Sequence, residues 1–409
     1  MEVEKLIRDL KKRNNKDNKF NRIIGIELKK LRLKLNLTLQ EVCSGICCTS
    51  YLSKMENNVV GVRPSYVSEL FEKMNGKNSA PIIDPLQYEN IINATIKAFY
   101  YQNTDVLRAI DNYTKNREMA YYLDIINMIM GIVNDDLDRS ERAIQTILGY
   151  KETLEDEDLI VVALFIAIYY FKSRHYLECK KVLDSLASFE LKGEKEILYL
   201  YYRFYTCFRL KKYLEIEGLF ETLSRALYMT SNDSLLKKVK KDYLLILAIM
   251  GLHDKAKEIY VNFKEIHSNE MMAFLAYCQK MPDDVKRILA PVKNRNINYY
   301  CLMIKHYDDL KETEEAISLL KEIDFDHLDG DKELVDFLLY MRIKYLNIDD
   351  FSVVKEHLRN VILPIKYEEC DIQALEFYVR ELCFILTKEA HYKEALAVIS
   401  KFNRLMEGI

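Results

Sequence analysis

A group of hydroxyl, phenol and ammonium side chains lies within a short segment near the start of the chain. These residues share a helical face pointing away from the apolar Leu52 and Met55, and they are Thr49, Ser50, Tyr51, Ser53 and Lys54. Such groups donate and accept hydrogen bonds, and on a short helix they can reach base edges and phosphates in a major groove. The chemistry they suit is recognition of a polyanion. A bundle of this kind that serves only as a scaffold or dimerisation module is the alternative.

Caps and turns predict the elements that position this face. Thr38, followed three residues later by Glu41, is typical of a capping box and starts a short second helix. Gly45 supplies the turn into a third helix over residues 49–57. We expect Thr38 and Gln40 to contribute to nucleic-acid contacts as well.

A first helix and a fourth helix complete the predicted bundle. From Ile23 onward, apolar residues recur at helical spacing, so one face packs while another is basic. The residues predicted on the basic face are Lys29, Lys30, Arg32 and Lys34. Pro64 follows Arg63, a further candidate for DNA contact, and opens a helix over residues 65–74.

The stretch LTLQEVCSGICCTSYLSKMEN (37–57), continued by Arg63-Pro64-Ser65, resembles the Cro/repressor-type helix-turn-helix. Its variant is similar to that of the Rgg and PlcR regulators, over about 55 residues. Many relatives have Gln directly after the cap Thr. Here Leu39 stands at that position and Gln40 is displaced by one residue.

The charge distribution is uneven along the chain. Residues 1–77 carry 16 Lys and Arg against 9 Asp and Glu, a net charge of +7, whereas residues 78–409 carry 44 against 54, a net −10. A basic end on an acidic body indicates a polyanionic partner for the N-terminal segment. A solvated charge run is the simpler alternative.

The composition predicts an all-α fold. Only 11 Gly and 6 Pro punctuate 409 residues, and alternating strand patterns are hard to find. From about Pro85 a loose repeat recurs, with an aromatic residue or His just after a turn and a small or apolar residue three positions later. The clearest copies begin at Tyr176, Tyr213, His253 and Tyr392, and weaker ones at Ser140, Thr313 and Phe351.

The interval from His253 to Thr313 is too long for one unit, and a degenerate helix pair near Pro282 is expected to fill it. The repeat resembles the tetratricopeptide repeat of about 34 residues. That resemblance implies a right-handed helical-repeat solenoid, which would follow the N-terminal helix-turn-helix bundle implied by the resemblance of the head. The concave groove of such a solenoid is a natural ligand site.

Projecting the repeat onto that groove selects cationic, amide and Tyr side chains. The predicted peptide-binding residues are Tyr201, Tyr205, Arg209, Lys238, Lys241, Asn298, Lys305, Arg380 and Lys388. Together they suit a short peptide with acidic groups or a free carboxylate. For each residue alone, a solvated or packing role is the alternative.

Enzyme chemistry and metal binding are not expected. Phosphate-cradling Gly loops, His-Glu-x-x-His helices and Gly-x-Ser-x-Gly elbows are missing from the sequence, and the nine Cys form no Cys-x-x-Cys pair. We predict no cofactor and reduced, mostly buried thiols. No long uncharged apolar stretch or secretory signal is evident, so a cytoplasmic protein is expected.

The combined resemblance is to the peptide-pheromone receptors grouped as Rap, Rgg, NprR, PlcR and PrgX. It implies a quorum-sensing transcription regulator, a homodimer on a double-stranded operator, and a small signalling peptide in the groove. The predicted parts are a basic arm (1–20), a DNA-binding domain (21–77) and a ligand-sensing and dimerisation domain (78–409). A phage lysis–lysogeny receptor of the arbitrium type, or a repeat protein that binds a signalling partner, are the alternatives.

Overall fold

Helices and short turns build the chain. The computed structural model describes residues 19–57, 59–60, 64–75, 85–115, 121–151, 154, 156–328, 330–347 and 350–408. Within these ranges there is no strand, and the structure is about 80% helical. The predicted all-α fold with a helical-repeat-like arrangement is confirmed. The predicted arm over residues 1–20 lies almost entirely outside the described residues.

In the described part of residues 19–75, four helices form the N-terminal head: α1 (Lys19–Lys34), α2 (Leu39–Cys43), α3 (Thr49–Glu56) and α4 (Pro64–Asn75). They enclose one apolar cluster in which Leu28, Leu52, Met55, Leu70 and Phe71 have no exposed surface. Helix α1 packs against both α3 and α4 and therefore carries the head's core. The predicted first, third and fourth helices are confirmed to within a few residues.

The chain divides into two compact units, residues 1–207 and 208–409. Beyond the head, the first unit contains α5 (Pro85–Tyr100), α6 (Thr104–Lys115), α7 (Tyr121–Val133), α8 (Leu137–Tyr150), α9 (Asp156–Lys172), α10 (Tyr176–Leu186) and most of α11 (Glu194–Arg209). Alternate helices α5, α7 and α9 lie side by side, each with its own antiparallel partner. The middle of helix α9 is buried on all sides, because every residue from Val161 to Ile168 is at most 3% exposed.

The second unit continues the pattern. Its helices are α12 (Tyr213–Met229), α13 (Asp233–Ile249), α14 (His253–Asn262), α15 (Asn269–Cys278), α16 (Pro282–Leu289), α17 (Ile297–Leu310), α18 (Thr313–Glu322), α19 (Lys332–Leu346), α20 (Phe351–His357), α21 (Leu363–Glu369), α22 (Ile372–Lys388) and α23 (Tyr392–Glu407). Helices α13, α15, α17 and α19 contact one another in sequence, and α13, α15 and α17 are each paired with the helix that follows. A π-helical turn, Leu358–Ile362, joins α20 to α21.

The repeat starts predicted from sequence coincide with helix starts at Tyr176, Tyr213, His253, Thr313, Phe351 and Tyr392. The degenerate pair near Pro282 is confirmed as α15 and α16. The weak copy at Ser140 is misplaced, since α8 begins at Leu137. Many of the helices that begin at these repeat starts follow a residue in the left-handed region of backbone conformation. Examples are Arg174 at φ 64° and Lys311 at φ 62°.

Candidate nucleic-acid interface and candidate ligand surface

Helix α2 is held by the predicted capping box. The Thr38 hydroxyl accepts a hydrogen bond from the Glu41 amide at 3.2 Å, and the Glu41 carboxylate accepts one from the Thr38 amide at 2.7 Å. The Thr38 amide and hydroxyl both donate to the Glu41 carboxylate, and these two hydrogen bonds lower the pKa of Glu41. Gln40 is exposed on this helix, whereas Leu39 is half-buried against the head's apolar cluster. The displaced Gln thus follows from Leu39 packing inward.

The turn between α2 and α3 also forms as predicted. Gly45 has φ +81°, a conformation that residues with a Cβ rarely adopt. Ile46 packs against the head's apolar cluster directly after it. Together they orient α3 so that Leu52 and Met55 point inward and are fully buried.

The outer face of α3 is less uniform than the sequence indicated. Thr49, Ser50 and Lys54 are exposed, and Ser53 is partly covered. Tyr51 is half-buried, and its ring meets the Tyr66 ring edge-on with centroids 5.6 Å apart. Its phenol lies at the border between the core and the surface. The exposed contact groups of α3 are therefore two hydroxyls and one ammonium.

A buried ion pair that sequence reasoning missed ties α1 to α3. Arg32 donates from Nε and Nη2 to the two carboxylate oxygens of Glu56, both at 2.7 Å, and from Nη1 to the Leu37 carbonyl at 3.0 Å. The side chain of Glu56 is only 3% exposed. Hydrogen bonding to Glu56 raises the pKa of Arg32 despite the cost of burial.

The predicted basic face of α1 is correspondingly reduced. Arg32 faces the core of the head, and Lys29 donates to the Asn57 side chain at 3.2 Å. Lys30 forms an ion pair with Asp124 of α7 at 2.7 Å. Of the four predicted basic residues, Lys34 is the exposed one. The helical spacing placed them on one face correctly, but long-range partners within the fold occupy three of them.

Lys30 also connects the head to the first repeats. Asp124 accepts a second hydrogen bond, from the Tyr150 hydroxyl of α8 at 2.8 Å. The Lys30 and Asp124 side chains are about 15% exposed, and Tyr150 is buried. Helix α1 packs along α7 and α8 at this point. The head is therefore docked on the repeats of its own unit by a shielded polar triad.

The predicted ligand residues are mostly at the surface. Exposed side chains belong to Lys238, Lys241, Asn298, Lys305, Arg380 and Lys388. The Lys305 ammonium lies 5.1 Å from the centre of the Phe337 ring, and the Lys388 ammonium lies 5.6 Å from that of Phe384. A ring attracts a cation placed over its face, so these two ammonium groups are held in position at the surface.

In the first unit, Tyr201 and Tyr205 are half-buried, with ring centroids 4.6 Å apart. They form part of an aromatic cluster with Phe171. Arg63, the remaining predicted DNA contact, lies outside the described residues.

Arg209 has a different environment from the other predicted ligand residues. Its Nη1 donates to Glu333 and lies 3.3 Å from an oxygen of Asp371. The Arg209 side chain is 18% exposed, and that of Asp371 is fully buried. Arg209 thus makes contacts between distant parts of the second unit.

Helix α19 contributes surface residues that the projection omitted. Leu339, Arg342 and Leu346 are exposed at spacings of three and four, so they form one stripe along the helix. The spacing of these three residues in the sequence is the signal that could have predicted the stripe. The exposed Leu339 and Leu346 give the second unit an apolar surface component.

A buried network supports this part of α19 from beneath. Lys344 lies 2.8 Å from both Asp308 of α17 and Glu381 of α22. Burial opposes its charge, but Glu381 and Asp308 outweigh that effect and raise the pKa of Lys344. The Tyr345 and Tyr340 hydroxyls donate to the same carboxylates. These bonds hold α17, α19 and α22, the first helices of three successive repeats, in position relative to one another.

The thiols and helices give no sign of redox, metal or membrane chemistry in the part of the chain that is described. All nine Cys are free, and burial raises the pKa of Cys179 and Cys301 to about 12. Among the described residues, no group of three His, Cys, Asp or Glu is placed to hold a metal ion. None of the described helices combines the length and apolar character that crossing a bilayer requires.

No protein-family model matches the chain, and no curated protein has a significantly similar sequence.

Proposed function

We propose that this protein is a cytoplasmic DNA-binding transcription regulator controlled by a small peptide, of the Rgg and PlcR type that its head resembles. The observation that carries the proposal is α3. It presents Thr49, Ser50 and Lys54 outward from a head fixed by the buried Arg32–Glu56 pair. Polar groups on a rigidly held helix are what reading a major groove requires.

The test of the head uses operator DNA recovered by sequencing fragments that co-purify with the full chain. Lys54→Ala should weaken binding to all sequences and reduce the slope of log affinity against log salt by about one, as expected for one lost phosphate contact. Ser50→Ala should cost about 1–3 kcal/mol and relax specificity at one position. The exposed Lys257 of α14 provides the control, Lys257→Ala.

Tyr51 needs a milder change, because its ring packs on Tyr66. Tyr51→Phe keeps this contact and removes only the hydroxyl. Mobility shifts at two salt concentrations measure all of these variants. If Lys54→Ala and Ser50→Ala both bind like the control, α3 is not the reading helix.

The ligand side of the proposal rests on the exposed cations of the second unit and on the exposed Leu339 and Leu346 of α19. Together they suit an extended peptide with apolar side chains and at least one carboxylate. Lys241→Ala or Arg380→Ala should weaken peptide binding about ten- to a hundredfold, with little change in helicity. Calorimetry with the peptide found near the operator measures this, and wild-type affinity in both variants would contradict the assignment.

A homodimer forms the last part of the proposal. Helix α23 exposes Tyr392, Leu396 and Ile399, at 64%, 65% and 41%, along one side. An apolar stripe of this kind is typical of a surface that another protein covers, and a second copy would supply the two-fold symmetry that paired operator half-sites need. Light scattering should give a dimer mass at micromolar concentration and a monomer for Leu396→Glu. A wild-type chain that is monomeric at this concentration would contradict the proposed homodimer.

A further inference from the structure

A set of polar contacts in the second unit joins the start of that unit to two helices more than 120 residues later. Arg209 donates to Glu333 of α19 and lies 3.3 Å from Asp371, the residue before α22. Lys211 donates to Glu376 of α22. We call this set, completed by the bond from the Tyr213 hydroxyl to Gln373 Oε1 at 2.8 Å, the polar latch.

The latch is shielded from water. Asp371 is fully buried, and its other carboxylate oxygen caps α22 by accepting from the Ala374 amide at 3.2 Å. The side chains of Lys211 and Glu376 are 20% and 25% exposed. Lys211 occupies the left-handed turn before α12, at φ 54°, so the backbone of that turn fixes where its ammonium can reach. Charge-assisted hydrogen bonds that are shielded from water are stronger than exposed ones, so these contacts can contribute to the stability of the region.

One carboxylate of the latch is shared. Glu376 accepts from Lys211 through Oε2 and from Arg380, one turn further along α22, through Oε1. The two cations differ in accessibility, because the Arg380 side chain is 76% exposed and the Lys211 side chain is 20% exposed. Arg380 is therefore the member of this trio that a molecule in solution can reach. The two cations are close enough that Arg380 contributes to lowering the pKa of Lys211, after the larger effect of burial.

We propose that the latch is the element through which an anionic ligand changes the conformation of the second unit. A ligand carboxylate that binds Arg380 draws it away from Glu376, and Glu376 is then wholly available to Lys211. Ligand binding on the exposed side thus strengthens the contact between α22 and the start of the unit. The inference rests on the proposed peptide function for its ligand, and the latch itself is tested without either peptide or DNA.

The sign of the effect follows from the sharing. Two cations compete for one carboxylate, so removing either strengthens the other's interaction with it. Loss of Lys211 opens the latch, whereas loss of Arg380 tightens it. A purely structural pairing, in which each bond only adds stability, predicts that both losses loosen the region.

Hydrogen exchange of the full chain measures this directly. Lys211→Met should raise the exchange rate of amides near residues 213–217 and 372–377 about tenfold, because opening there no longer breaks a charged bond. Arg380→Ala should slow exchange at the same amides. Lys255→Met is the matched control, since Lys255 and Glu217 also join two helices of this unit at 2.8 Å but are more than half exposed. It should leave both segments at the wild-type rate.

Equal exchange in Lys211→Met and Lys255→Met would overturn the latch, and faster exchange in Arg380→Ala would overturn the competition for Glu376. If Lys211→Met loses helicity, Tyr213→Phe, which removes one hydroxyl, takes its place with a smaller expected increase of about threefold. If the chain binds neither peptide nor DNA, the proposed function is wrong, but the exchange results still test the latch. The two ideas therefore fail separately.

Discussion

The N-terminal head and the second unit use ion pairs over very different separations along the chain. Arg32 and Glu56 are 24 residues apart, and their pair lies beside the single apolar cluster of the head. Lys211 and Glu376 are 165 residues apart, and they join the turn before α12 to α22. The first kind of pair forms with its domain and is lost only when the domain unfolds. The second can open while every helix stays intact.

Among the variants that test this comparison, a substitution of Glu56 is expected to cause the largest loss of stability. Glu56→Ala leaves Arg32 buried without its carboxylate, so we expect the head to lose about 3–5 kcal/mol of stability. Hydrogen exchange across α3 under increasing urea measures this loss. The combined change Arg32→Met with Glu56→Leu should recover most of it, because no charge then remains buried.

The control for Glu56 is the exposed Lys255–Glu217 pair, where Glu217→Ala should cost far less stability because water screens the two charges. A Glu56→Ala head as stable as this control would mean that the pair is not part of the head's core. The distinction between the two kinds of ion pair would then disappear.

A middle case is the triad that docks the head on the first repeats. Asp124→Asn removes the charge that pairs with Lys30 but retains a partner for the Tyr150 hydroxyl, so a loss of about 1–3 kcal/mol is expected. Exchange should increase along α1 and stay constant in α9. If α1 is unaffected, the head is held by apolar packing alone. Asp105→Asn, at a residue whose pair with Arg108 is largely exposed, serves as the control.

The smallest effect concerns pH and the second unit. His306 is 2% exposed, and burial, with a contribution from Lys286, lowers its pKa below the value of the unfolded chain. Between about pH 7.5 and pH 5.5 the unfolded state therefore binds more protons, so the unit becomes less stable as the pH falls. Urea denaturation at both pH values should show this, and His306→Gln should reduce the dependence. An unchanged dependence in that variant would assign it to other groups.

Local signals account for what the sequence predicted well. The capping box at Thr38 and the turn at Gly45 involve residues within a few positions of one another, so α2 and α3 were placed within one or two residues. Repeat starts such as Tyr213 and His253 were equally local. Two residues before α14, the left-handed position is occupied by Gly251. Arg174, Lys211 and Lys311 occupy the same left-handed position elsewhere, so the repeats read as degenerate.

Partners distant in sequence account for what it did not predict. Nothing near Arg32 indicates that Glu56 will neutralise it, and nothing near Arg209 indicates Asp371. Helical spacing predicts which residues share a face but not what that face contacts, so it predicts both residues as surface cations. The exposed positions of Lys241 and Arg380 agree with the spacing, whereas their ligand role is still a prediction.

During synthesis, helix α9 is complete before a helix that covers it has been made. Its buried stretch from Val161 to Ile168 has no polar side, and α10 is one of the helices that cover it. When the ribosome has released residue 172, α7 is complete but α10 is not. The nascent chain then presents an uncovered apolar helix, the state in which growing polypeptides aggregate or recruit chaperones. Synthesis of the next 14 residues, through Leu186, supplies the cover.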